Sequence, residues 1–328
     1  MVYDEMKVSI AMATYNGARY LREQLESFAG QTRQPDELII TDDCSTDHTE
    51  AIIRDFAKTV PFKVRFHRND SKLGYCGNFN AALMKTNGEL VFLSDQDDVW
   101  FPEKIEHMIG IAQCNPQALV VMNDAALTDD ELNEVGLTKL GQIRSAGLPM
   151  KAFVMGCCCA IRRELLDLCM PIPPGIKAHD NWIMQFAEAL DGKKVCDRVL
   201  QYYRRHETNE SHFIANRTTK VKRRHAFFHS FKEVLQGNNR QKEKEQISQQ
   251  QMKIDGIRRV LSLAPEKYRF DLKNMLETAE DDLRFLKMRA DVRARPLISR
   301  FLGTVSLVIR GEYRNSNGFK SVLRDLLG

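Results

Sequence analysis

Short apolar runs alternate along this chain with longer segments whose apolar residues recur every three or four positions. Val8-Ser9-Ile10-Ala11-Met12-Ala13 is a strand-length run that ends in the turn-forming Thr14-Tyr15-Asn16-Gly17. Tyr20, Leu21, Leu25 and Phe28 then follow at helical spacing. The unit repeats. Glu37 to Thr41 predicts a second strand, and Asp42-Asp43-Cys44-Ser45-Thr46-Asp47 a polar turn. A helix with Ile52, Ile53 and Phe56 inward comes next, with Ser45 or Thr46 as its N-cap. Phe62 to Phe66 predicts a third strand, 78–86 a third helix and Glu89 to Leu93 a fourth strand. Leu119 to Met122 and Ala152 to Ile161 predict further strands, and helices are expected near Pro102 and over 181–190. Strands and helices alternating at these intervals predict an α/β fold, a mostly parallel sheet with helices on both faces.

Beyond Phe213 the pattern becomes mainly helical and rich in Lys, Arg and Gln, with a polar stretch from Gln236 to Gln251. Residues 213–328 hold 25 Lys and Arg against 13 Asp and Glu, a net of +12, which leaves −8 for residues 1–212. That step in charge predicts two units, an acidic one over 1–212 and a basic helical one over 213–328. Val221 to His229 mixes cations with aromatics, and Leu297 to Arg310 is apolar with arginine at its flanks. Such segments predict peripheral contact with an anionic membrane, the alternative being a helical subdomain with a solvated basic face. Nucleic acid is not expected, because no binding module for it is present.

The 328 residues are 43% apolar and 28% charged, a globular balance. No run approaches the roughly 18 apolar residues of a spanning helix, and Met1 to Glu5 does not resemble a secretory signal. A cytoplasmic protein is expected, at the cytosolic face of the inner membrane if the tail binds lipid. None of the eight cysteines forms a C-x-x-C pair, so they read as reduced, buried small residues rather than zinc ligands. A thiol nucleophile among Cys157, Cys158 and Cys159 is the lesser alternative.

Polar clusters close three of the predicted strands, and in parallel sheets ligands sit where such strand ends converge. The densest is Asp95-Gln96-Asp97-Asp98, after an apolar strand. Carboxylates so crowded repel one another and resist burial unless a cation lies between them, and hard oxygen donors favour Mg²⁺ or Mn²⁺. The alternative is a solvated acidic turn, and Asp98 alone could instead cap the helix near Pro102. No glycine-rich phosphate loop or nucleophile-elbow motif occurs.

Thr14-Tyr15-Asn16, Asp42-Asp43-x-Ser45-Thr46-Asp47 and Asp95-Gln96-Asp97, in that order, resemble glycosyltransferase family 2, whose members share the nucleotide-sugar-binding GT-A (Rossmann-like) fold. Asn78-Phe79-Asn80, Ser94 to Trp100 and Tyr203 to Ser211 resemble its rhamnosyltransferase-like branch. The resemblance covers residues 7–212. It implies that Thr14, Tyr15, Asn16 and Asp43 hold the nucleotide, with Asp43 accepting from the base, and that Asp95 meets the ribose and metal region. Asp97 and His206 would be metal ligands, and Arg204 and Arg205 would meet the diphosphate, although strand alternation points only one of the two inward.

Asp180 matches the family's catalytic base, with helix N-cap as its other reading, and His179 stands where the family more often has Glu. His179, Trp100 and Trp182 are candidate acceptor contacts. The implied reaction is a metal-dependent, inverting single displacement, since no second carboxylate can be assigned as a covalent nucleophile. The expected donor is a dTDP-sugar, rhamnose first, or a UDP-sugar. The expected acceptor is a glycan or lipid-linked hydroxyl in surface polysaccharide (O-antigen or capsule) synthesis. The rival readings are a sugar nucleotidyltransferase and a non-catalytic nucleotide-sugar-binding scaffold.

Overall fold

The computed structural model describes residues 6–207, 209, 213–223, 225, 240–315 and 319–327. Thr208, Glu210 and Ser211 of the rhamnosyltransferase-like motif, most of Val221 to His229, and 236–239 of the polar stretch lie outside the described residues. The chain divides into two compact units, Met1–Lys222 and Arg223–Gly328. The division falls ten residues beyond the expected 212/213, because 214–222 are tied into the first unit. Gln142 Nε2 donates to the carbonyls of Arg217 and Thr219, and Val221 N donates to Gln142 Oε1 at 2.8 Å.

In the first unit, β1 (Val8–Thr14), β2 (Glu37–Asp42), β3 (Lys63–Arg68) and β4 (Leu90–Ser94) pair in parallel in the order β3-β2-β1-β4. β1 is central and almost wholly buried, as its uninterrupted apolar run requires. Alternation sorts its side chains. Val8, Ile10 and Met12 join Leu38, Ile40, Leu90 and Phe92 on one face. There they pack with Leu25 and Phe28 of α1 (Leu21–Ala29), Ile53 of α2 (Thr49–Phe56), and Ile105 and Met108 of α4 (Lys104–Cys114). The other face receives α3 (Gly74–Leu83), with Thr41 Oγ1 donating to the Asn78 carbonyl at 2.8 Å. Register sets Thr14 opposite Asp42 and Met12 opposite Ser94, so the three polar loops emerge side by side.

The remaining strands are β5 (Val99–Trp100), β6 (Val120–Thr128), β7 (Glu134–Thr138), β8 (Cys159–Arg162) and β9 (Lys193–Arg204). They extend the sheet as β4-β8-β6-β9-β5, with β7 on β6. Only β6–β9 is parallel here; β8 is antiparallel to both β4 and β6, and β5 to β9. The sheet is therefore parallel in its first half and mixed in its second. An apolar run has the same pattern in either direction, so the difference is invisible to periodicity.

The strand expected over Ala152 to Ile161 shrinks to β8. Residues 150–152 and 156–158 are 3₁₀ turns instead, and the Cys157 carbonyl accepts from Lys104 Nζ at 2.7 Å rather than from a neighbouring strand. The helix after the second loop starts at Thr49, and Asp47, not Ser45 or Thr46, receives its first N–H at 3.1 Å. α5 (Lys139–Ala146), α6 (Arg163–Cys169) and α7 (His179–Ala189) complete the unit.

The second unit comprises α8 (Arg240–Leu263), α9 (Glu266–Arg293), α10 (Leu297–Ile309) and α11 (Phe319–Leu327). Val292, Leu307 and Tyr313 form a small core with Phe285, Met288 and Val322. Beside it the buried Arg289 guanidinium clasps Asp325 through two hydrogen bonds, at 2.6 and 2.8 Å, and Tyr313 Oη donates to the same carboxylate. Among the described residues no helix is long and apolar enough to cross a membrane.

Candidate active site

The three loops open into a cleft of about 1170 Å³ within the first unit. Its first wall is built from the ends of β1 and β2. Asn16 adopts a left-handed backbone (φ 46°), which asparagine tolerates better than most residues, and this lets the two loops interlock. Asn16 N donates to Ser45 Oγ at 2.8 Å, and its Oδ1 accepts from Thr46 N at 2.8 Å. Gly17 N reaches Thr49 Oγ1 at 2.9 Å. Thr14 Oγ1 donates to Asp42 Oδ1 at 3.0 Å, and Asp42 in turn receives Ser45 N. Asp43 accepts Leu73 N (2.7 Å) and Asn69 Nδ2 (3.1 Å) on Oδ1 and Gly74 N (2.9 Å) on Oδ2. One acceptor position of Oδ2 is thereby left over for a ligand. Tyr15 is half exposed, and Lys72 Nζ lies 4.2 Å from its ring centroid.

The floor comes from β4 and the loop after it. Gln96 clamps the first loop to this one, its Oε1 accepting Tyr15 N at 2.9 Å and its Nε2 donating to the Tyr15 carbonyl at 3.1 Å. Asp97 Oδ2 lies 2.7 Å from His206 Nε2 and accepts Asn209 Nδ2 at 3.0 Å. The His206 ring stacks on Tyr20 at 4.9 Å between centroids. Burial, with the nearby Asp97 and Asp180 carboxylates, pushes the Asp95 carboxyl up to about 7.

Asp98 departs from the capping alternative. It is wholly buried, accepts Gln201 Nε2 at 2.9 Å and Arg204 N at 3.3 Å, and is held well above the usual carboxylate range by burial and by Asp97 and Asp95. Glu103, not Asp98, precedes α4. Lys104, also wholly buried, bonds Gln201 Oε1 and lies over the Trp100 ring at 3.9 Å.

Donor atoms of Asp95, Asp98 and Cys157 lie within 4.8 Å of one another. Burial holds the Cys157 thiol well above its ordinary pKa, and Asp98 is enclosed, so Asp95 alone of these three lines the cleft. The set reachable from the cleft is instead Asp97 with His206. Two ligands of one divalent ion, each about 2.1 Å away, lie roughly 3 Å apart, so a 2.7 Å pair of carboxylate oxygen and imidazole nitrogen fits a shared Mg²⁺ or Mn²⁺. The thiol-nucleophile alternative loses its basis as well, since Cys157 and Cys159 are buried and held protonated.

The opposite wall carries Asp180. It lies in the first turn of α7 rather than at the N-cap, which is Ala178, and its Oδ1 receives Asn181 N at 2.7 Å. Lys139 starts α5 and lies almost wholly buried, bonded to Asn216 Oδ1, its ammonium brought down to about 8 by burial. Tyr75, Tyr203, Lys151, Lys177 and Phe213 also line the cleft.

The structure brings Thr14, Tyr15, Asn16, Asp43, Asp95, Asp97, Asp180 and His206 into one cleft, and five other candidates do not line it. Arg204 is 3% exposed and faces away. Its guanidinium bonds the Asp97 and Asp130 carbonyls and Glu23, and stacks on Tyr20 at 4.6 Å, so it supports the loop and does not meet a diphosphate. Arg205 is not a lining residue either; Nη1 donates to Tyr203 Oη at 3.3 Å. Trp100 is buried between Phe28 and Phe92, and Trp182 is buried with Nε1 donating to the Cys169 carbonyl at 2.9 Å. His179 is fully buried, stacked on Phe79 at 4.0 Å, with neither ring nitrogen bonded. Burial lowers its pKa to about 4. A Cβ at Gly156 would lie 2.9 Å from His179 Nε2, so this packing needs glycine there. None of the three acceptor candidates can touch a ligand. Lys72, Lys139, Lys151, Lys177 and Tyr75 are among the cleft residues that sequence reasoning missed, as they belong to no strand-end motif.

Residues 9–168 match the family described as Glycosyl transferase family 2. An uncharacterized glycosyltransferase of Nostoc sp. is 30% identical over 228 residues, which span 65% of this chain and 69% of that protein. The chain belongs to glycosyltransferase family 2. Another relative of this family-2 chain, the dTDP-rhamnosyl transferase RfbG of Shigella flexneri, is 26% identical over 224 residues, 61% of this chain and 73% of that one. Its fold is GT-A. S. aureus TarS residues 1–349, solved with UDP, superposes with a TM-score of 0.54 at 20% identity, covering 86% of this chain and 90% of TarS. A Pyrobaculum calidifontis mannosyltransferase, solved with GDP-Man and Mn²⁺, has a TM-score of 0.50 at 16% identity, covering 99% and 86%. These likenesses establish architecture only.

Proposed function

We propose that this family-2 glycosyltransferase moves a sugar from a nucleoside diphosphate donor to an acceptor hydroxyl with inversion, in a metal-dependent reaction. The observation that carries the reading is the placement of two carboxylates with separate surroundings in one cleft. Asp97 is paired with His206 and Asn209, whereas Asp180 stands on α7 with one hydrogen bond, to its own neighbour's N–H. Asp97 and His206 would hold Mg²⁺ or Mn²⁺, which when bound neutralises charge on the departing diphosphate. The Mn²⁺ in the Pyrobaculum mannosyltransferase supports the same choice of ion.

Asp180 accepts the proton of the acceptor hydroxyl as that oxygen bonds to the anomeric carbon and the bond to the diphosphate breaks. Asp43 and Tyr15 seat the nucleotide, and the Lys72 and Lys139 ammoniums add positive charge to a cleft that must hold an anion. A dTDP-linked rhamnose is the first donor to test, on the likeness to RfbG, and UDP-sugars are the second, on the likeness to TarS. The acceptor is a glycan or lipid-linked hydroxyl of a bacterial surface polysaccharide.

Thermal shift with each donor, with and without Mn²⁺, followed by turnover assays, tests the reading. Asp97→Ala is expected to abolish metal-dependent donor binding, and Asp180→Asn to spare binding and abolish transfer. Full activity in both variants removes the proposal. Donor binding without turnover on any glycan acceptor would leave the scaffold reading.

A further inference from the structure

Catalysis in the first unit makes no use of α10. Its sequence, Leu297 to Ile309, divides into two faces. Thr304 and Leu307 are buried, Leu307 within the small core of Val292 and Tyr313, and Gly303 lies close against Val292. On the opposite face Leu297, Ile298, Phe301, Leu302, Val308 and Ile309 are 46% to 80% exposed, an apolar strip at i, i+1, i+4, i+5, i+11 and i+12. Scattered exposed leucines need no explanation, but six large ones on a single helix face mark a contact surface.

Charge selects the occupant. Between Asp291 and Glu312 the chain contains no carboxylate, only Arg293, Arg295, Arg300 and Arg310. Arg293 and Arg295 are paired with Glu243 and Asp291. No carboxylate pairs with Arg300 or Arg310 among the described residues; Arg300 shares the Thr304–Leu307 side of the helix, flanking the strip, with its guanidinium donating to the Arg295 carbonyl, and the exposed Arg310 follows the strip at its C-terminal end. A second copy docking isologously would bring these like charges together with no acid to meet them. An anionic lipid surface would meet both features at once, headgroups pairing with the arginines while the strip enters the acyl boundary. At 13 residues the helix is too short to span a bilayer and suited to lie in its surface.

We propose that α10 is an interfacial anchor that binds the enzyme to anionic membrane, independently of which sugar it transfers. Flotation of the full chain tests this with vesicles of phosphatidylcholine alone and of equimolar phosphatidylcholine and phosphatidylglycerol. Wild type is expected to float with the anionic vesicles, and at least about tenfold less with the neutral ones. Phe301→Glu with Leu302→Glu is expected to abolish flotation, and Arg300→Glu with Arg310→Glu to weaken it by about tenfold or more. All four positions are partly or fully exposed, so an unchanged near-ultraviolet spectrum is expected, and donor affinity should be unaltered. Failure of wild type to float, or flotation undiminished by the Phe301/Leu302 variant, overturns the proposal. So does a dimer in sedimentation equilibrium that this variant dissolves while wild type ignores vesicles.

Discussion

The two walls of the cleft are built on different principles. On the β1/β2 wall nearly every polar side chain is committed to another loop. Asn16 bonds the Ser45–Thr46 turn, Thr14 bonds Asp42, and Asp43 is tied to Leu73, Gly74 and Asn69. Such a wall is rigid before the ligand arrives, so little ordering is left to oppose binding. On the α7 wall Asp180 has one local hydrogen bond, and Lys139 is a cation whose charged form burial disfavours. Recognition of a constant nucleotide suits the first arrangement. Proton transfer suits the second, where a carboxylate keeps a lone pair free.

That contrast can be broken experimentally. The largest effect is expected for Asp180→Asn, a fall in kcat of about 10³- to 10⁴-fold with donor affinity and thermal stability unchanged. Single-turnover kinetics beside calorimetric donor titration would show the split. Asp97→Ala should reduce transfer by about 10²- to 10³-fold and remove the metal dependence of donor binding, read by titrating Mn²⁺ against donor fluorescence.

His179 sharpens the same wall in a different way. Burial holds it neutral, with its pKa at about 4 against an ordinary 6.5. Its contribution to stability is complete above the unfolded pKa and is lost as pH falls from 6.5 towards 4, by up to about 3 kcal/mol. His179→Phe should flatten urea-melt stability against pH in that window, whatever its stability at neutral pH. Smallest is Asp43→Asn on the opposite wall. Because the carboxylate receives two backbone N–H groups, the expected loss is about 1–2 kcal/mol of stability, accompanied by weaker donor binding. If Asp43→Asn changed only rate, or Asp180→Asn only stability, the division between the walls would be wrong.

The parts of the site that were legible in the sequence are those encoded over short distances. Thr14-Tyr15-Asn16, Asp42-Asp43 and Asp95-Gln96-Asp97 each follow an apolar run directly, and parallel pairing in register makes contiguous loops of them. The first four strands were readable for the same reason. His206, about a hundred residues after Asp97, came from resemblance rather than pattern, and the structure places the two 2.7 Å apart.

Side-chain direction was not legible. Arg204, Trp100, Trp182 and His179 have the right chemistry for a ligand and turn inward, because Glu23 and the Asp97 carbonyl, Lys104, the Cys169 carbonyl and Phe79 hold them there. Lys139 and Lys72 carried no signal. Nor did the reversal of β8, since an apolar segment reads the same in both directions.

By itself the sequence determined the alternation of elements, the strand-end positions of the acidic and polar residues, and the basic character of the tail, all of which depend on neighbours a few residues apart. Tertiary structure alone decided which of the candidate side chains face the cleft, which are consumed in holding it open, and which face of α10 remains uncovered. Those outcomes depend on contacts between residues far apart in the chain, where packing and the need to satisfy every buried polar group choose among orientations that local pattern leaves equal.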